Sequence, residues 1–149
     1  NAVMDDFIRG VYGQECHCYI REYVDLLCDA LKGHVLTYKH HTDAPYITDA
    51  LIEKAELLFE KALKAVKTEK SKWYLQKEQL SVRFMRISRM ELEDPRRAAL
   101  VDALYEDVKR FGIVEIRERK NLDITFANLR NNRYAAGSED GNLLYYIMK

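Results

Sequence analysis

The sequence predicts an all-α fold, an up-and-down bundle of three to four long helices with shorter helical pieces at both ends. Three observations carry this. Six glycines and two prolines in 149 residues are few for a sheet-rich domain of tight turns, whereas Ala, Leu, Glu and Lys are plentiful. Apolar residues recur at three-, four- and seven-residue spacings over several stretches, the period of a helix buried along one face. Recognisable start and stop residues bracket those stretches. The length is that of one domain, 1–149, able to bury a core without disulfides or metals.

The stretch Ser71 to Met90 reads as the central helix, with Trp73, Leu80, Phe84 and Ile87 on its buried line. Lys72, Lys77, Arg83, Arg86 and Arg89 lie mostly on the other side. Before it, Val3 to Arg9 forms a short helical turn that Gly10, Val11, Tyr12 and Gly13 break. From about Glu15 to Leu31 the set Ile20, Tyr23, Val24, Leu27, Ala30 and Leu31 keeps helical spacing, and Gly33 stands where a left-handed cap belongs. His34 to Pro45 shows no sustained period and reads as a surface loop.

Thr48 is a good N-cap for a helix running to about Lys67, buried along Leu51, Ala55, Leu58, Ala62, Leu63 and Val66. Ile47 and Ile52 are spaced to staple its entry. The short link Thr68 to Lys70 implies an antiparallel hairpin with the central helix. Asp94 followed by Pro95 signals the next start, with Val101, Leu104, Tyr105, Val108 and Phe111 as the buried line and Gly112 as the stop. Ile113 to Arg117 is a short extended segment or a loop. Asn121 caps a last helix with Leu122, Phe126 and Leu129, after which Leu143 to Met148 is apolar and Tyr-rich and is expected to dock on a neighbour.

Composition excludes several functions. Lys plus Arg and Asp plus Glu both total 24, so no general affinity for polyanions is implied and nucleic acid is not an expected partner. No apolar run reaches the length of a membrane span. The chain opens on Asn1 rather than Met, which points to a trimmed or excised fragment, with positions 1–2 as candidates for a tag remnant. Three cysteines, Cys16, Cys18 and Cys28, do not make a disulfide framework.

Candidate chemistry is sparse. His40, His41 and Asp43, with His34 upstream, bear metal-ligating groups in one loop, yet adjacent histidines point apart and no helical i, i+4 histidine pair supports them. Solvated loop histidines are the simpler reading, so no metal and no cofactor is expected. Cys16, His17 and Cys18 sit about 100° apart if helical and cannot converge. Cys16 at a helix start is a candidate for a lowered thiol pKa, but a small buried hydrophobe is the simpler reading and is the one expected. The carboxylates of the amphipathic helices single out no catalytic pair. Arg83, Arg86 and Arg89 read first as a solvated face.

The string Phe7-Ile8-Arg9-Gly10-Val11-Tyr12-Gly13, followed by Tyr19-Ile20-Arg21-Glu22-Tyr23-Val24-Asp25-Leu26-Leu27, resembles the C-terminal helical part of a large bacterial family frequent in gut Bacteroides. That family is glycoside hydrolase-like and lies near the α-glucuronidases and hexosaminidases. Ala44-Pro45-Tyr46-Ile47-Thr48, Lys77-Glu78-Gln79-Leu80 and Phe111-Gly112-Ile113 agree with it, and the resemblance covers most of residues 4 to 120. It implies a larger secreted protein, periplasmic or on the outer surface, with an upstream catalytic barrel that carries the acidic residues. This chain would be its non-catalytic C-terminal module, meeting carbohydrate only through the parent. No catalytic residue is carried over. Cys16-His17-Cys18 departs from the family pattern, where small residues and proline are usual. Tyr12 and Gly13, with Tyr145 and Tyr146 of the tail, are the candidate interface to that barrel. The competing reading is a free-standing helical protein-interaction module, and a third is a small metal-binding protein using the loop histidines.

Overall fold

The computed structural model describes residues 2–34, 44–116 and 121–131, and among these the fold is all-α with no strand. Six α-helices follow in order: α1 (Ala2–Tyr12), α2 (His17–Ala30), α3 (Asp49–Ala65), α4 (Glu69–Arg89), α5 (Arg97–Arg110) and α6 (Leu122–Asn131). A 3₁₀ turn, Gln14–Cys16, joins the first two. The contacts gather into two compact units. The described residues up to His34 and those of 46–82 form the first, and those from Arg83 to Asn131, with Ala44 and Pro45, form the second.

In the first unit α2 and α3 run antiparallel. Cys16 at the start of α2 meets Ala62 late in α3, while Glu22 pairs with Lys54 and Tyr23 stacks edge-on against Phe59. Thr48 caps α3 as its sequence position implies, its hydroxyl accepting from the Leu51 N–H at 3.1 Å. The buried face of α3 is wider than one line. Leu51, Ala55, Leu58 and Ala62 are buried, but so are Ile52 and Phe59, while Leu63 and Val66 are only half-buried. Thr68 caps α4 through the Ser71 N–H at 3.1 Å, so that helix begins at Glu69, two residues earlier than its pattern suggests.

The buried line of α4 also differs from the predicted one. Leu80 and Ile87 are buried and Phe84 is half-buried, but Trp73 is 42% exposed, and Leu75 and Val82 are fully enclosed. Both lines are apolar at helical spacing, and packing draws in residues of each, Leu75 and Val82 from one and Leu80 and Ile87 from the other. α1 is likewise longer than expected. Gly10 continues the helix, because a glycine on an exposed helical face costs only about 1 kcal/mol, and the chain turns at Gly13 instead.

The second unit holds the end of α4 with α5 and α6. α5 and α6 are antiparallel: Tyr105 stacks on Phe126 at 5.1 Å and donates to Asp123, and Arg130 pairs with Asp102. Val101, Leu104, Val108 and Phe111 are buried as the periodicity requires. α5 begins at Arg97, two residues beyond the proline, because Asp94 first closes a turn by accepting from the Arg96 N–H at 2.9 Å. The Arg96 guanidinium on the same carboxylate holds it down at about 2. Gly112, at φ +68°, ends the helix with the paired bonds of a Schellman motif, Ile113 N–H to Val108 O and Gly112 N–H to Lys109 O. Asn121 caps α6, its side chain accepting from the Ile124 N–H at 2.9 Å.

Arg97 organises this unit. Its side chain is 1% exposed, and its guanidinium donates to Ile87 O, to Met90 O at 3.1 Å and to Leu129 O at 2.6 Å. Those carbonyls lie at the C-terminal ends of α4 and α6, where helices leave acceptors unpaired and gather partial negative charge. One cation thus closes two helix ends. Farther along α5, Asp107 joins Arg83 of α4 at 2.6 Å to Arg110 of α5 at 3.0 Å.

Candidate functional site

The corner between α1 and α2 contains the candidate interface residues Tyr12 and Gly13, and its construction follows from a few polar bonds. Gly13 sits at φ +92°, a conformation that side-chain-bearing residues rarely adopt. A Cβ there would stand 3.0 Å from the Glu15 carboxylate. That carboxylate is committed, because it accepts from the Lys67 N–H at 2.8 Å and so ties the corner to the link between α3 and α4. Its own N–H and that of Lys67 hold the carboxyl below the usual range. Gly13→Ala is therefore expected to cost about 1–3 kcal/mol in thermal unfolding. Gly10→Ala, whose Cβ would meet nothing within 4 Å, is expected to stabilise the chain by about 0.5–1 kcal/mol.

Tyr12 is half-buried beside this turn. Burial, with the nearby Glu78 charge, pushes its hydroxyl up to about 12, so it remains a neutral phenol. Tyr12 and Gly13 therefore belong to one corner, with Glu15 as the partner that sequence spacing did not reveal. The signal for Glu15 is faint: an acid two residues after a glycine, whose N–H donor comes from Lys67, 52 residues away. Tyr145 and Tyr146 lie outside the described residues, as do His40, His41 and Asp43.

Cys16, His17 and Cys18 diverge as their spacing requires. Cys16 is fully buried and its thiol donates to Ala62 O at 3.4 Å. Cys16 is thus the small buried hydrophobe its position suggests, and burial pushes its thiol up to about 11, with Glu15 adding to the shift. Cys18 and Cys28 are exposed. At pH 8 iodoacetamide is thus expected to alkylate Cys18 and Cys28 in the native chain and spare Cys16 until urea unfolds it, which peptide mass mapping reads directly. His17 turns toward α1, where its Nε2 donates to Asp5 at 3.0 Å and holds that carboxyl below the usual range. Arg21 stands 3.8 Å from the same carboxylate and grips Asp25 with two bonds, at 2.7 and 3.1 Å. This chain of four charged or polar groups fastens α1 to α2.

The other side of α1 is apolar and open. Ile8 is buried, whereas Val3 is 77%, Phe7 58% and Met4 37% exposed. Val3 and Phe7 are four residues apart, and Met4 and Phe7 three, so the exposed side chains share one face. Gly10 lies along the same face. Among the described residues no group of three or more His, Cys, Asp or Glu side chains is placed to hold a metal ion. Among them, too, no helix is long and apolar enough to cross a membrane. The arrangement offers a contact surface built on a rigid corner. No family model, curated protein or solved structure matches this chain.

Proposed function

We propose that this chain is the non-catalytic C-terminal helical module of a secreted glycoside hydrolase, and that it packs the open face of α1 against the catalytic barrel of the same polypeptide. The observation that carries the reading is that face. Phe7 and its neighbours Val3 and Met4 place three large apolar side chains together in water at the edge of a well-packed unit. Phe7 also opens the string Phe7 to Gly13 on which the family resemblance rests. The parent protein would work in the periplasm or on the outer surface and would meet carbohydrate through its barrel, with this module stabilising that barrel.

The test is the size of the native polypeptide, read by immunoblot with antibody against this chain. A band several times larger than 17.5 kDa in a periplasmic or membrane fraction is the expected result. A band near 17.5 kDa would sink the proposal and put the free-standing helical interaction module in its place.

A further inference from the structure

The chain is neutral as a whole, but its charge is unevenly spread. Between positions 61 and 77 there are six lysines and a single acid, Glu69. They run over the end of α3, the link and the first turns of α4, all within the first unit. Local pairing offsets this only in part. Glu60 holds Lys64, Glu69 stands 3.8 Å from Lys72, and Glu15 lies near Lys67. Among the described residues neither Lys70 nor Lys77 forms an ion pair.

Those two lysines flank the only tryptophan. Lys70, Trp73 and Lys77 stand three and four residues apart on the ridge of α4 opposite its buried Ser71, Leu75 and Val82, a ridge that turns inward only beyond Lys77, at Leu80. Trp73 is 42% exposed, the Lys77 ammonium lies 5.1 Å over its ring, and Tyr74 packs edge-on against it at 5.1 Å. The result is a cation, a large ring and a second cation, with the lysines about 10 Å apart along the helix axis.

We propose that this basic-aromatic ridge of α4, Lys70-Trp73-Tyr74-Lys77, rests on a bilayer surface carrying anionic headgroups. Charge complementarity selects an anionic partner, and three further features select a lipid surface. The ridge is convex, so it can lie on a plane but cannot enclose a small ligand. Every cation of the run is lysine, a compact point charge on a flexible stem, which suits a diffuse negative surface better than bidentate recognition, the task of arginine. Tryptophan and tyrosine favour the headgroup level of a membrane, where lysine stems extend toward the charge. The contact uses a different element from the α1 face and does not depend on the domain-docking reading.

The test uses Trp73 as the reporter, since no other tryptophan contributes to the emission. The chain is titrated with vesicles of equal parts phosphatidylglycerol and phosphatidylcholine, and binding is read by fluorescence and by sedimentation. The expected result is a blue-shifted emission and co-sedimentation, both reversed by about 0.5 M salt, where charges screen within a few Å, and both absent with pure phosphatidylcholine. Lys70→Gln with Lys77→Gln should weaken the partition roughly twenty-five-fold, about fivefold for each lysine removed. That variant folds no less stably at Lys70, because a positive charge in the first turn of α4 opposes the helix dipole, so thermal unfolding separates lost binding from lost structure. No shift on anionic vesicles, or equal binding by the double variant, overturns the proposal. A shift with polyglutamate or a polyuronate but not with vesicles also overturns it and assigns the ridge to a linear polyanion.

Discussion

Replacing Arg97 with methionine is expected to lower the stability of the second unit by about 2–4 kcal/mol. The methionine keeps the aliphatic stem but removes the donors to Ile87, Met90 and Leu129. Hydrogen bonds from a charged group are worth about 1.5–3 kcal/mol each, and an acceptor left buried without a partner costs about 1–3 kcal/mol. Against this stands the relief of no longer burying a guanidinium, itself several kcal/mol, which keeps the net below the simple sum. Urea unfolding followed by circular dichroism reads the loss, and amide exchange in α6 should accelerate with it. Arg97→Lys should fall between the two, since an ammonium carries the charge but cannot span carbonyls on two helices as the planar guanidinium does. A methionine variant with an unmoved urea midpoint would show that the guanidinium bonds contribute nothing net.

Phe59→Ala is expected to cost about 3–5 kcal/mol, the usual range for emptying a large aromatic site in a core. Phe59 is fully buried in α3 and meets the Tyr23 ring of α2 at 4.9 Å and 69°. The alanine loses the transfer energy of the ring, leaves a cavity between two antiparallel helices, and removes an edge-to-face contact worth about 0.5–1.5 kcal/mol. Phe59→Leu, which keeps most of the volume, should lose markedly less. Thermal unfolding of the three proteins side by side checks the order. If leucine and alanine cost the same, the shape of the ring rather than its volume is what the core requires.

These two residues show where sequence reading stops. Phe59 stands one position from Leu58, and a single 3.6-residue line can claim only one of them, yet the helix buries both because α3 has a wide covered face. α4 likewise buries residues of two apolar lines, Leu80 and Ile87 of one and Leu75 and Val82 of the other, and only Trp73 at the start of the first is left exposed. Nothing in the sequence around Arg97 marks its role. Its acceptors are carbonyls 7, 10 and 32 residues away, and such partners leave no local pattern. For Cys16 the buried-hydrophobe reading holds, but its partner, Ala62 O of α3, lies 46 residues away and left no local sign.

What the sequence determined by itself is the local part: the all-α class, the existence and approximate bounds of the helices, and the caps at Thr48, Asn121 and Gly112. These depend on interactions within one turn of the chain, between a side chain and an amide three residues on or a glycine and its own dihedral, so they are written where they act. The tertiary structure decided that α4 buries residues of two apolar lines, that Arg97 closes two helix ends, that Glu15 ties a corner to a distant link, and that Trp73 stands outside between two lysines. Each of these depends on packing and electrostatics between segments far apart in sequence, where the energy is set by which surfaces meet and not by the spacing along either one.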